Sequence, residues 1–187
     1  MAFTAVFDAC VLYPAPVRDL LLWLARTNLF RARWTESIHR EWVENLLRNR
    51  PELERSRLQR TCALMDAAVE DCLVTNYEAL IPGLDLPDPD DRHVLAAALR
   101  CHADIIVTFN LKDFPAAILG PLGIEPQHPD TFVRHTLDLD PVALVAVRHC
   151  RASLKNPSIS ASDYLSTLDR SGLPETATFL SAWAELI

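Results

Sequence analysis

The stretch LPDPDDRHVLAAALRCHADIIVTFNLKDF, residues 86–114, decides the fold. Its DPDD segment at 88–91 is typical of a helix start, because Asp is a good N-cap, Pro suits the first helical position and acids favour the positive end of the helix dipole. Residues 93–102 are alanine-rich and apolar enough to lie against a sheet. The β-branched run at 103–108 is typical of a strand buried on both faces. We therefore predict a helix followed by a buried strand.

An earlier strand is predicted at residues 3–7, FTAVF, a buried-strand pattern that ends in Asp8. A helix that opens at Pro16 follows it, and Thr35 and Pro51 open two more helices before a short strand at 72–75. Strands that alternate with helical segments at this spacing predict parallel strands in an α/β sandwich.

The pattern changes beyond residue 114, where helical segments replace the alternation of strands and helices. A small strand at 123–125 and a short helix at 131–136 are expected first. Three further helices, each with a capping residue or proline at its start, are then predicted at 141–154, at 162–168 and from 174 onward. We therefore expect a domain at 1–137 and a C-terminal helical appendage at 138–187.

The charge is unevenly distributed along the 187 residues. The net charge is −7, which argues against a general nucleic-acid coat, yet residues 26–60 contain nine Arg and five Glu. A basic segment inside an acidic chain is a candidate contact for phosphate or for an acidic partner. The alternative is a pair of solvated helices whose charges pair with one another.

The cysteines and the apolar runs indicate the compartment. The five cysteines are odd in number and contain no CxxC pair, so neither a disulfide framework nor a thiolate zinc site is indicated. No apolar run reaches the roughly 18 residues that a membrane span needs. The first residues lack a basic leader, so no signal peptide is expected. We expect a cytoplasmic protein that does not enter a membrane.

Three acids are expected at one edge of the predicted sheet. Asp8 and Asp113 follow two strands, and Asp91 lies in the first turn of a helix that begins at the same edge. If the two strands are neighbours, these carboxylates converge and repel one another unless a cation compensates them. Mg²⁺ or Mn²⁺ is the natural compensation, because hard divalent ions prefer oxygen ligands. Such a site can activate water against a phosphodiester, which predicts a nuclease.

Four segments in this order closely resemble the PIN domain, the fold of VapC-type ribonuclease toxins. They are VFDA at 6–9, SIHREW at 37–42, DRHVLAAAL at 91–99 and VTFNLKDF at 107–114. The resemblance covers roughly residues 3–130 and implies a three-layer sandwich with a central parallel sheet. It implies that the catalytic and metal-binding acids are Asp8, Glu41, Asp91 and Asp113. Asn110, where many relatives carry Asp, and Thr108 are implied as supporting residues. Asp90 is an alternative to Asp91.

The same resemblance implies the function and the partners. It implies a metal-dependent endoribonuclease, the toxin of a type II toxin–antitoxin pair, with one or two Mg²⁺ or Mn²⁺ ions. The expected partners are an RNA substrate, a second copy of the chain in a homodimer, and an antitoxin whose tail, often bearing an Arg, blocks the acidic pocket. The C-terminal helices resemble an extension found in a subset of VapC-like proteins.

Two alternatives to the nuclease are open. The first is a PIN-like RNA- or protein-binding module without activity, which the uncharged Asn110 and the net acidity motivate. The second is a phosphatase with Asp8 as its nucleophile. Haloacid-dehalogenase-like phosphatases need a D-x-D motif after the first strand, and residues 8–10 read DAC, so the general acid of that mechanism is missing.

Overall fold

A four-stranded parallel sheet forms the centre of the computed structural model, which describes residues 2–155 and 157–187. The strand order is β2-β1-β3-β4, so the two strands that carry the predicted acids are direct neighbours. Val6 pairs with Ile106 in this register. The strands are β1 (Phe3–Phe7), β2 (Phe30–Arg33), β3 (Ile105–Val107) and β4 (Glu125–Gln127). The sequence-based prediction of a parallel α/β fold is confirmed.

Helices flank the sheet and form the C-terminal part of the chain. Short 3-10 turns at Glu78–Gly83, Pro89–Asp91 and Gly120–Leu122 lie between them. The helices are α1 (Ala9–Leu12), α2 (Ala15–Ala25), α3 (Glu36–Asn49), α4 (Arg55–Ala68), α5 (Arg92–Arg100), α6 (Ala116–Leu119), α7 (Pro129–Leu139), α8 (Val142–Ser153), α9 (Ala161–Arg170) and α10 (Pro174–Ser181). No helix among residues 2–155 and 157–187 is long and apolar enough to cross a membrane.

The predicted capping by Asp88 and the predicted position of Pro89 at the helix start are confirmed. The side chain of Asp88 accepts a hydrogen bond of 2.9 Å from the backbone N–H of Asp90, as an N-cap does. Pro89 opens a single 3-10 turn, which runs directly into α5. The small residues of α5 are buried, so the helix packs tightly and its first turn is fixed at the sheet edge.

A cluster of aromatic rings holds one face of the sheet. Phe7 stacks on Trp34 at 6.2 Å, and Phe30 meets the ring of Phe132 edge-on at 4.9 Å. All four side chains are fully or almost fully buried, and burial of a ring of this size contributes about 1.5–3 kcal/mol to stability. Phe132 belongs to α7, so the helices that follow the sheet contribute to the same core.

The edge of the sheet differs from the prediction. β2 was not predicted, because its sequence FRAR reads as part of the arginine-rich segment. Its pattern is nevertheless that of a one-sided strand, with Phe30 and Ala32 buried and Arg31 exposed. The predicted strand at 72–75 is wrong, because only a single bridge joins Leu73 to Trp34. The third predicted helix begins at Arg55, four residues after Pro51.

The C-terminal helices are attached to the sheet domain through α7. Helices α8, α9 and α10 correspond to the three predicted ones, with ends that differ by a few residues. The predicted division between 137 and 138 falls inside α7 and stays a prediction. The carboxylate of Asp130 on α7 accepts hydrogen bonds of 2.8 Å from the backbone N–H groups of Glu175 and Thr176 at the start of α10.

Candidate active site

Asp8 lies directly after β1 and is almost completely buried, with 2% of its surface exposed. It accepts hydrogen bonds from the backbone N–H of Ala9 at 2.6 Å, the thiol of Cys10 at 2.9 Å and the hydroxyl of Thr108 at 2.7 Å. Burial raises the pKa of Asp8, although these hydrogen bonds oppose the shift. The three hydrogen bonds therefore hold this buried carboxylate in a fixed orientation at the sheet edge.

Asp91 ends the 3-10 turn that leads into α5, on the same side of the sheet. Its pKa is raised to about 7, first by burial and then by the negative charges of Asp8, Asp88, Glu41 and Asp113. The acids predicted from the sequence thus lie close enough to repel one another. Asp90, the alternative candidate, is exposed, whereas Asp91 is partly buried.

Glu41 projects from α3 and contacts a residue that the sequence analysis did not select. Its Oε2 atom lies 3.1 Å from Nε2 of His93 on α5. Two arginines near Glu41 on α3 have other partners, since Arg40 donates to Ser37 and Arg48 donates to Asn45. His93 is two residues after Asp91, and this spacing on the first turn of a helix was the only sequence signal for its position.

The loop after β3 contributes the remaining predicted residues. Thr108 is fully buried, and its Oγ1 accepts a hydrogen bond of 2.9 Å from the backbone N–H of Asn110 while the same hydroxyl donates to Asp8. The carbonyl oxygen of Asn110 accepts a hydrogen bond of 2.9 Å from the N–H of Asp113. One hydroxyl therefore connects the buried acid of β1 with the loop that carries Asn110 and Asp113.

An open cleft of about 600 Å³ lies over this cluster. Helix α3 and the turn before α5 line it. The residues from α3 are Ser37, Arg40, Glu41, Asn45 and Arg48, and those from the turn are Asp88, Asp90 and Asp91. His93 and Asn110 also face the cleft, whereas Asp8 and Asp113 are not among its lining residues. A substrate with an anionic backbone could contact the arginines while a cation shields it from the acids.

A second cleft, of about 520 Å³, lies between α3 and α4. Two of its lining residues, His39 and Asp66, belong to a hydrogen-bond network that joins these helices. Nδ1 of His39 accepts from the indole N–H of Trp42 at 3.1 Å, which fixes Nε2 as the donor to Asp66 at 2.9 Å. The indole N–H of Trp34 donates to the same carboxylate oxygen at 2.8 Å. Each of these buried polar groups has a partner, so the network joins α3 to α4 without a ligand.

The acids suit a hard divalent cation in their chemistry. They offer only oxygen donors, and burial raises the pKa of Asp8 and of Asp91, with repulsion from neighbouring acids adding to the shift of Asp91. Residues 2–155 and 157–187 contain no group of three His, Cys, Asp or Glu side chains assembled as a ready ligand set. Oxygen donors of this kind are the ligands that hard divalent cations such as Mg²⁺ prefer. The donor set therefore fits Mg²⁺ or Mn²⁺.

Two families match the chain in consecutive regions. Residues 4–112 match the family described as PIN domain, and residues 129–182 match the family described as VapC50 C-terminal domain. A Mycobacterium tuberculosis protein described as "Putative ribonuclease VapC50" is 54% identical over 57 residues, which are 30% of this chain and 34% of that protein. The match thus spans about a third of the length of this curated relative. No solved structure matches the chain. Because the match at residues 4–112 covers more than half of the chain, the protein belongs to the PIN domain family.

Proposed function

We propose that this protein is a metal-dependent endoribonuclease and the toxin of a type II toxin–antitoxin system. The observation that carries the proposal is the position of Asp91 near the buried Asp8: its pKa is raised by burial and then by the charges of Asp8, Asp88, Glu41 and Asp113. Four acids that repel one another at the edge of a parallel sheet, where ligands bind, favour a cation site over a structural role. Membership of the PIN domain family and the description of the relative as a ribonuclease support the same activity.

Asp8, Asp91 and Asp113 would hold one or two Mg²⁺ or Mn²⁺ ions, and Glu41 would bind an ion or orient the attacking water. When bound, such an ion polarises the phosphodiester and lowers the pKa of a coordinated water. The three hydrogen bonds to Asp8 keep its carboxylate in place. Asn110 lies at the rim of the cleft, where its amide can orient a phosphate without adding charge.

The arginine side chains of α3 that line the cleft would hold the RNA backbone. Arg40 and Arg48 lie on the same face of α3 as Glu41, and each is exposed or partly exposed at the cleft. In the proposed reaction, water attacks phosphorus in line and the bond to the 3′ oxygen breaks. The products are a 5′-phosphate and, after the departing oxygen takes up a proton, a 3′-hydroxyl. Arginine side chains beside the acids would keep the scissile phosphate over them.

The proposal also includes the protein partners and the compartment. An antitoxin tail that carries an Arg would make forked, charge-assisted hydrogen bonds with the acids and block the cleft. A homodimer and a cytoplasmic location complete the proposal. All five cysteines are free thiols, which suits a reducing compartment.

Cleavage of single-stranded RNA by the purified protein with Mn²⁺ tests the proposal. We expect Asp8→Asn to abolish cleavage without lowering the melting temperature in chelator, because it removes a carboxylate that burial disfavours. Asp169→Asn, a change at an exposed acid of α9, is the matched control and should cleave like the wild type.

The alternative is a PIN-like module that binds RNA or protein without cleaving, for which the uncharged Asn110 is the motivating observation. If the wild type and Asp8→Asn behave alike on every RNA tried with Mg²⁺ and with Mn²⁺, the module replaces the nuclease.

A further inference from the structure

Gly172, in the turn between α9 and α10, lies against the ring of Phe109. Its φ angle is +90°, a conformation that favours glycine. A Cβ atom at this position would lie 2.9 Å from Cε1 of Phe109 and 3.4 Å from Cζ. The C-terminal region therefore touches Phe109 so closely that a single methyl group at residue 172 would displace the ring.

Phe109 is the central residue of the segment that joins the buried strand to the acidic cleft. It lies between Thr108, which donates to Asp8, and Asn110, which faces the cleft. Its backbone N–H donates to Sγ of Cys10 at 3.2 Å. On its other side the ring meets the edge of His128 at 5.1 Å. A displacement of the ring would thus be transmitted to residues on both sides of it.

The turn that contains Gly172 and contacts Phe109 is held in place by buried residues and hydrogen bonds. Leu173 and Thr176, which follow Gly172, are fully buried. The backbone N–H of Thr176 donates to the carboxylate of Asp130, and that of Leu173 donates to the carbonyl oxygen of Leu168 at 3.0 Å. Because the turn is fixed at both ends, it cannot easily retreat from the ring.

We propose that the C-terminal helical region positions the loop after β3, residues 108–113, which we call the catalytic loop, and that the packing of Gly172 on Phe109 is the contact through which it does so. Phe109 is a positioning residue in this arrangement, since it acts through its chain neighbours Thr108 and Asn110 and is not among the residues that line the cleft. The contact sets where Asn110 and Asp113 lie relative to Asp8. The catalytic consequence rests on the nuclease activity proposed above, whereas the structural consequence does not.

The substitution Gly172→Ala tests the contact, and Gly123→Ala is its matched control. Gly123 also has a positive φ, +75°, but a Cβ there would have no atom within 4 Å. Both variants therefore strain the backbone, and only Gly172→Ala meets Phe109. We expect Gly172→Ala to lower kcat on the order of tenfold or more with little change in KM, since small displacements of catalytic groups are costly. Gly123→Ala should keep the wild-type kcat.

A double-mutant cycle separates the contact from general destabilisation. In a Phe109→Leu background the ring that the new methyl group meets is absent. We expect Phe109→Leu alone to lower kcat, and Gly172→Ala to add little to it. Independent, additive effects of the two substitutions would overturn the proposal, and so would a Gly172→Ala variant that cleaves like Gly123→Ala.

A readout without RNA distinguishes a failure of this proposal from a failure of the proposed function. In chelator, the backbone amide NMR signal of Asp113, which is not adjacent to any substituted residue, should shift in Gly172→Ala and in Phe109→Leu, and should stay in place in Gly123→Ala. If wild-type protein never cleaves RNA, these shifts still decide the positioning role. An unchanged signal in Phe109→Leu would overturn it even if Gly172→Ala does not fold.

Discussion

The hydroxyl of Thr108 donates a hydrogen bond of 2.7 Å to Oδ2 of Asp8, between the ends of neighbouring strands. Both residues are buried, and the same hydroxyl accepts the backbone N–H of Asn110. Thr108→Val, a change of nearly equal shape, should lower the free energy of unfolding by about 1–3 kcal/mol, because it leaves buried polar groups without a partner. Urea denaturation in chelator measures the loss.

Thr108→Ser is the control, because it keeps the hydroxyl and removes only a methyl group. We expect it to retain RNA cleavage, whereas Thr108→Val should reduce cleavage through the misplaced carboxylate of Asp8. Equal unfolding free energies for the Val and Ser variants would show that the hydrogen bond does not hold the acid.

The parts of the fold that could be predicted are those with strong local patterns. The apolar run of β1, the capped start at 88–91 and the β-branched run of β3 each form what their sequence indicates. β2 could not be recognised, because an edge strand needs apolar residues on one face only and its Arg31 and Arg33 read as surface charge. The residues at 72–75 have strand-like composition, but only Leu73 finds a bridging partner, on Trp34.

The residues of the candidate site also divide into those that a local sequence pattern indicates and those that it does not. Asp8 and Asp91 could be selected because each stands at the end or start of a predictable element at one sheet edge. The roles of His93 and Cys10 could not, because their contacts with Glu41 and Phe109 join residues that are 52 and 99 positions apart. Such pairs depend on how the elements pack, and beyond the spacing of His93 from Asp91 the sequence carries no local sign of them.

His93 should act as a positioning residue for Glu41. Its Nε2 lies 3.1 Å from Glu41, and its buried Nδ1 has no hydrogen-bond partner among the described residues. Substitution of a group that orients a metal-binding carboxylate typically costs roughly 10- to 100-fold in metal affinity or activity. We expect a loss of this size in kcat and in Mn²⁺ affinity for His93→Ala, measured by cleavage kinetics and calorimetry.

His93→Gln retains a side-chain donor and should recover part of that loss. His135→Ala, at an exposed position of α7, should behave like the wild type. A His93→Ala variant with a lowered melting temperature but wild-type Mn²⁺ affinity would indicate a purely structural residue.

The raised pKa of Asp91 predicts how the stability of the metal-free protein depends on pH. The folded protein holds the proton of Asp91 up to about pH 7, whereas the unfolded chain releases it near pH 4. The stabilising contribution of this group is therefore complete below about pH 4 and is lost as the pH rises through about 7. In chelator, the stability advantage of the wild type over Asp91→Asn should fall over this range, as thermal unfolding at a series of pH values would show.

Saturating Mn²⁺ should reverse this dependence in the wild type. An ion bound only by the folded state raises the melting temperature, and it binds better when the carboxylates are ionised. The gain from Mn²⁺ should therefore grow as the pH rises and be small in Asp91→Asn. Identical pH profiles for both proteins in chelator would contradict the carboxylate repulsion on which the site rests.

Asp130 should be a principal anchor of the C-terminal region. It is almost fully buried, and it accepts the N–H groups of Glu175 and Thr176 at the start of α10, whose own N-cap residue, Leu173, supplies no side-chain acceptor. Asp130→Ala should lower the free energy of unfolding by about 1.5–3 kcal/mol, the range for hydrogen bonds to a charged group. Asp130→Asn keeps one acceptor oxygen and should lose less.

If the C-terminal region positions the catalytic loop, Asp130→Ala should also affect catalysis in the cleft. Loss of the anchor frees the turn that contains Gly172, so Asp130→Ala should also lower kcat at a temperature where the protein is fully folded. Asp169→Ala, at an exposed acid of α9, controls for the loss of a carboxylate and should change neither quantity. If Asp130→Ala unfolds at the same urea concentration as Asp169→Ala, α10 is held by its apolar contacts and Asp130 is not its anchor.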